Sequence, residues 1–166
     1  MDSQNCSFWI ELGKLSIPSI LVIAGWVVAN NLAKNRERDK ARRDMIAKSS
    51  DSLCDSIDNI FEVANEYHSS QRDRKLEVKL KISLQDLTER VSSLSQITQD
   101  CNALQSCIAL SVEFRQAITK NHFEDEHLGP IESNVVFENI ASTSLALKRS
   151  LVALKHAQFP PPTVYR

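Results

Sequence analysis

Residues 15–33, LSIPSILVIAGWVVANNLA, carry no charged side chain, and a basic block, KNRERDKARR (34–43), follows directly. A run of that length and apolarity predicts one bilayer-crossing helix. Downstream, apolar residues recur at helical spacing instead of filling a continuous run. Ile46, Leu53, Ile57, Ile60, Ala64 and Tyr67 follow at intervals of seven, four, three, four and three, one stripe on a first amphipathic helix. HSSQRD (68–73) predicts a turn. A second helix is predicted over 74–99, with Leu80, Leu84, Leu87, Val91, Leu94 and Ile97 or Thr98 on its stripe. The alternation in LEVKLKISL (76–84) also suits a strand, but the helical period continues beyond it and no partner strand is evident. Asp100 or Asn102 then caps a third helix carrying Leu104, Ile108, Val112, Phe114 and Ile118. No Gly or Pro separates the second and third stripes, so one continuous rod is the alternative. NHFEDEHLGP (121–130) is an acidic loop ending in Gly129-Pro130. A fourth helix over 131–157 places Ile140, Ser144, Leu147, Leu151 and Leu154 at a/d spacing, and Pro160, Pro161 and Pro162 stop it.

These elements predict an all-α protein: a single N-terminal transmembrane helix followed by a cytoplasmic antiparallel four-helix bundle, with a long coiled coil as the alternative. The predicted divisions are 1–33 for the short outside N-terminus and span, 34–44 for a basic helical stalk, 45–157 for the bundle and 158–166 for a Pro-rich extended tail. No Gly or Pro lies between Ala33 and Tyr67, so the span should run on through the stalk into the first bundle helix.

The flanks of the apolar run decide between a retained span and a cleaved signal peptide. The first thirteen residues contain Asp2 and Glu11 and no Lys or Arg, unlike a signal-peptide n-region. Cleavage near Ala29 would also force the six Lys/Arg of 34–43 across the membrane. A retained span follows. The basic block stays inside, so the N-terminus is outside and the rest cytoplasmic, in a bacterial-type inner (plasma) membrane. Trp9 and Trp26 are seventeen residues apart, a helical length of roughly 26 Å that matches a bilayer core. The expected membrane-interface residues are Trp9, Trp26, Lys34, Arg36, Arg38, Arg42 and Arg43. Pro18 either kinks the span or marks its first turn. The run holds nine Leu/Ile/Val, offset by two serines, two asparagines, Gly25 and Pro18, which makes it only modestly apolar. Gly25, Ala29 and Ala33 recur every fourth residue and form a small-residue stripe suited to close helix contact.

Charge and composition exclude more than they assign. The chain of 166 residues has a formal charge of -1, so no overall field favours nucleic acid. Glycines stand only at 13, 25 and 129, which rules out phosphate-cradling Gly-rich loops, and neither G-x-S-x-G nor H-E-x-x-H occurs. Cys6, Cys54, Cys101 and Cys107 show no C-x-x-C pair and are expected as reduced thiols buried in the bundle. Cys101, Cys107, His122 and His127 give C-x5-C-x14-H-x4-H, a poor match to structural zinc spacing, so no metal and no cofactor are expected.

One pattern carries candidate chemistry. Six residues separate Arg115 from His122, and six separate Arg149 from His156. This spacing resembles the R-x(4–6)-H motif of the HEPN family of helical-bundle ribonucleases, with Gln116 or Ser150 as the polar residue after the Arg. The resemblance covers the motif and the all-helical class. It implies Arg and His meeting across a dimer, with His transferring a proton and Arg stabilising phosphate charge. The alternative for the same residues is surface charge on helix flanks. The favoured functional expectation is a single-pass membrane protein acting by association with itself or a protein partner, as an effector or accessory in bacterial antiviral defence. A membrane-tethered HEPN-like ribonuclease and a simple membrane adaptor are the alternatives. The expected partners are the lipid bilayer and a second copy or a protein, and nucleic acid is not expected.

Overall fold

The computed structural model describes residues 3–98, 100–120, 123 and 134–157, with side chains from Val22 onward. Trp9, Cys6, the acidic loop with His122 and His127, and the Pro-rich tail lie outside the described residues or side chains. The described chain is all-helical: α1 (Ser3–Ser69), α2 (Arg74–Ser93), α3 (Cys101–Thr119) and α4 (Asn134–Ala157), with a 3-10 turn at Leu94–Gln96. The chain divides into two compact units, Met1–Ala41 and Arg42–Arg166, and α1 supplies backbone to both. It continues through Pro18 and through the charged residues after Ala33 as one helix.

The expected membrane-spanning helix over 15–33 is not borne out as a fold assignment. Among the described residues no helix is long and apolar enough to cross a membrane. Residues 15–21 of that run lie outside the described side chains.

The second unit is a helical bundle, and its cross-helix contacts fix the directions. Arg90 on α2 reaches back to α1, donating 2.8 Å hydrogen bonds to the hydroxyls of Ser56 and Ser52. Arg42 donates to the Ile97 carbonyl just past the 3-10 turn. The start of this part of α1 therefore meets the end of α2, so the two run antiparallel. Lys148 pairs with Asp58, and Lys155 pairs with Asp51 at 2.9 Å, which runs α4 antiparallel to α1. Cys107 Sγ lies 3.1 Å from Ser150 Oγ, opposing α3 to α4 in the same sense. His68 Nε2 lies 3.1 Å from the Ile118 carbonyl, so the C-terminal ends of α1 and α3 meet. The coiled-coil and continuous-rod alternatives are thereby replaced by a bundle of separate helices.

The breaks between helices are made by local capping. Asp73 Oδ1 accepts the Lys75 N–H at 2.7 Å and starts α2, and Arg72 pairs with the buried Glu77 in its first turn. A carboxylate there also favours the helix N-terminus electrostatically. Asp100, not Asn102, caps α3, accepting the N–H groups of Asn102 and Ala103 at 3.1 and 3.0 Å. α2 ends at Ser93, six residues short of the predicted 99, because the 3-10 turn tightens its last carbonyls.

Every residue named for the α1, α2 and α4 stripes is buried except Ile97, which is half-buried, so of the alternatives Ile97 and Thr98 it is Thr98 that is buried. The predicted α3 stripe is corrected. Its buried positions are Leu104, Cys107, Ser111, Phe114 and Ile118, whereas Ile108 is half-buried and Val112 is 44% exposed. The observed intervals of three, four, three and four keep one face, and this face accepts two small, weakly polar residues. Ser111 donates to the Ile108 carbonyl at 2.7 Å, and the buried Ser144 on α4 donates to the Ala141 carbonyl at 2.8 Å. Both hydroxyls are satisfied within their own helix, which removes the main cost of burying them.

Candidate functional site

Two surfaces carry the residues singled out by sequence. The first is the apolar segment of α1. Val22 (71% exposed), Ile23 (62%), Trp26 (67%), Val27 (45%), Val28 (58%) and Leu32 (53%) all face outward. At about 100° per residue, Val22 and Trp26 share one side, Ile23 and Val27 the next, and Val28 and Leu32 the remaining arc. The segment is thus apolar around its whole circumference, unlike the bundle helices, which bury one stripe and expose the rest. Gly25 has no neighbour within 4 Å of where a Cβ would stand, so packing within this chain does not require a glycine there. Ala29 and Ala33, the other two small-stripe residues, are exposed as well. Lys34, Arg36, Arg38 and Arg43 are exposed beyond the apolar segment, whereas Arg42 is half-buried and its guanidinium serves the Ile97 carbonyl. Trp9 lies outside the described side chains.

The second surface is the bundle exterior. Arg115 borders a cleft of about 710 Å³ lined by Lys81, Gln85, Thr88 and Glu89 of α2, Thr119 of α3 and Phe123. Phe123 packs on Tyr67 with ring centroids 5.3 Å apart, and Lys81 Nζ lies 5.9 Å from its centroid. Gln85 donates to Glu89 along the cleft wall at 2.9 Å. Arg149 and His156 sit elsewhere, exposed on α4, and neither lines the cleft. Seven residues apart, they are displaced by about 10 Å along the helix. Within the described chain, then, Arg115 is not brought together with the α4 pair, and His122 lies outside the described residues. Sequence reading missed the cleft. Its polar row on α2 reads as an ordinary solvated face until α3 is laid beside it.

The thiols follow their surroundings. Cys107 is buried, Cys54 is half-buried and Cys101 is exposed, which corrects the expectation of uniformly buried cysteines. Cys101 opens α3 directly after its cap, on the solvent side of the stripe. Burial pushes the Cys107 thiol above its ordinary value, and its contact with Ser150 only partly offsets this. Burial also raises Cys54, opposed by Lys148 and reinforced by Asp51, Asp58 and Asp55. A thiol whose folded-state value is raised stabilises the fold below the unfolded value, and that contribution is lost as pH rises past it. The native bundle should therefore lose stability as pH rises through and above the ordinary thiol range, about 8.5, more steeply than Cys107→Ser. Urea midpoints measured across that range check this, and parallel curves would refute it. Among the described residues no group of three His, Cys, Asp or Glu side chains is placed to hold a metal ion.

Comparison with protein-family models, with curated proteins and with solved structures finds no match.

Proposed function

We propose that the protein is a single-pass membrane protein whose α1 crosses the inner (plasma) membrane with the N-terminus outside and the bundle in the cytoplasm. It acts by association, with a second copy or a protein partner, rather than by catalysis. The carrying observation is the exposure of Val22, Ile23, Trp26, Val27, Val28 and Leu32 on all sides of one helix. A helix apolar all round needs an apolar surrounding. The sequence continues the same uncharged run back to Leu15, which extends it to the length of a bilayer core. Six Lys/Arg within 34–43 then set the orientation.

Association draws support from Gly25. A glycine inside a helix costs about 1 kcal/mol relative to alanine, and nothing in this chain's own packing requires one there. Close approach of a second helix along Gly25, Ala29 and Ala33 would use it. The test is the mass of the purified full-length protein in detergent, measured by light scattering. The native chain should be multimeric, and Gly25→Leu combined with Ala29→Leu should shift it towards monomer. A monomeric native protein, or an unchanged mass in the double variant, overturns association through this face.

A further inference from the structure

Resting on the membrane reading above, we infer that the segment following the apolar run is a lipid-selective collar, which gathers anionic phospholipid headgroups around α1. Lys34, Arg36, Arg38 and Lys40 are all exposed on a continuous stretch of helix. At about 100° per residue, Lys34 and Arg38 lie within about 40° of each other, while Arg36 and Lys40 lie on the opposite side. The cations therefore occupy two opposite sides of the helix instead of one stripe, with Glu37 and Asp39 on the arcs between them.

That distribution discriminates among occupants. A protein groove or a nucleic-acid backbone approaches a helix from one side and would be met by cations on one face. Cations on opposite sides suit an anionic layer that surrounds the helix. The apolar segment before it is likewise not one-sided, with exposed residues on every side from Val22 to Leu32. One environment fits both: hydrocarbon first, then a shell of negative headgroups.

The axial dimension agrees. Lys34 to Lys40 spans about 9 Å of helix, comparable with the roughly 5–8 Å of headgroup region on one side of a bilayer. Long cationic side chains extend this reach by directing their charges towards the phosphates. Glu37 and Asp39 lie within the same stretch and are also exposed. They reduce its net charge but leave a cationic excess of four to two over 34–40. Arg42 is not part of the collar, because its guanidinium is engaged with the Ile97 carbonyl.

The experiment uses the full chain carrying Trp9→Phe, which leaves Trp26 as the sole tryptophan reporter. It is reconstituted in vesicles of phosphatidylcholine and phosphatidylglycerol, with brominated chains on one lipid or the other. Bromine quenches the fluorescence of a tryptophan beside it, so the two series report which lipid surrounds Trp26. Brominated phosphatidylglycerol should quench as though enriched about threefold or more over its bulk share, given that each basic residue at an anionic surface contributes appreciably. The enrichment should fall towards one in the variant K34Q/R36Q/R38Q/K40Q, and in the native chain at 0.5 M salt, where charge attraction is screened. Equal quenching by both lipids in the native chain overturns the collar and leaves the anchor standing. Absence of quenching by either lipid overturns the anchor itself. Enrichment that survives both neutralisation and salt also overturns the collar.

Discussion

Replacing Val22 and Ile23 together with aspartate (V22D/I23D) is expected to release the protein from membranes. Native protein should remain in the membrane pellet after alkaline carbonate extraction, and the variant should appear in the supernatant. The two positions lie about 100° apart on the helix, so no single rotation of α1 hides both charges from lipid. Each aspartate in the middle of a span opposes insertion by about 2.5–3.5 kcal/mol, and each lost Val or Ile removes a further few tenths. The combined change of roughly 6 kcal/mol exceeds what nine Leu/Ile/Val can supply at about 0.3–0.6 kcal/mol each, since that sum is already offset by Pro18, Asn30 and Asn31. Val22 and Ile23 are 71% and 62% exposed, so the substitutions remove no packing within the chain. Retained helicity of the released protein by circular dichroism separates loss of insertion from loss of folding. A variant that still resists carbonate extraction would contradict the membrane reading.

The second large effect concerns the bundle. Phe114→Ala should destabilise it by about 3–5 kcal/mol, the range for deleting a buried aromatic ring. Val112→Ala, two residues earlier, should cost well under half as much. Phe114 is fully buried in the central cluster with Leu104, Cys107 and Ile118, whereas Val112 is 44% exposed. The pair therefore tests the register of α3 directly. Denaturant unfolding of the full-length protein in mild detergent, followed by circular dichroism, supplies the comparison. Similar losses for the two variants would restore the stripe through Ile108 and Val112 and rule out the one through Cys107 and Ser111.

That register shows where sequence reasoning stopped. In α1, α2 and α4 the stripe residues are mostly Leu, Ile and Val, so counting apolar residues at three- and four-residue intervals locates the buried face. In α3 two of the five buried positions are Cys107 and Ser111. A count of large apolar residues passes over them and selects Ile108 and Val112 instead. Burying Ser111 becomes tolerable because its hydroxyl is satisfied at the Ile108 carbonyl. Which face of α3 is covered depends on the helices packed against it, and α3 alone does not show that. The same holds for Arg90, which reads as an ordinary surface cation until Ser52 and Ser56 of α1 come within reach. Arg42 looked like part of the basic block, and its engagement with Ile97, fifty-five residues away, depends on where α2 ends.

The candidate chemistry divides along the same line. Arg115 and Arg149 share a motif spacing, yet one borders the cleft between α2 and α3 and the other lies exposed on α4. Spacing along the chain places a residue on its own helix but does not say which other helix it will face. The cleft itself, with Lys81 over Phe123, arises only from laying two helices and a loop residue together.

The sequence by itself determined the properties that depend on near neighbours. These are the helical class, the buried stripes of three helices, a cap for α3 at Asp100 or Asn102, the uncharged run and the basic residues behind it. Helix formation, capping and amphipathic spacing are interactions over three or four residues, so a linear reading contains them. The tertiary structure decided the α3 register, the burial of His68 and Glu77, the Arg42 and Arg90 contacts and the position of the cleft. Each depends on groups brought together from distant parts of the chain, where a side chain's burial is set by what the opposing helix offers in size and hydrogen bonding.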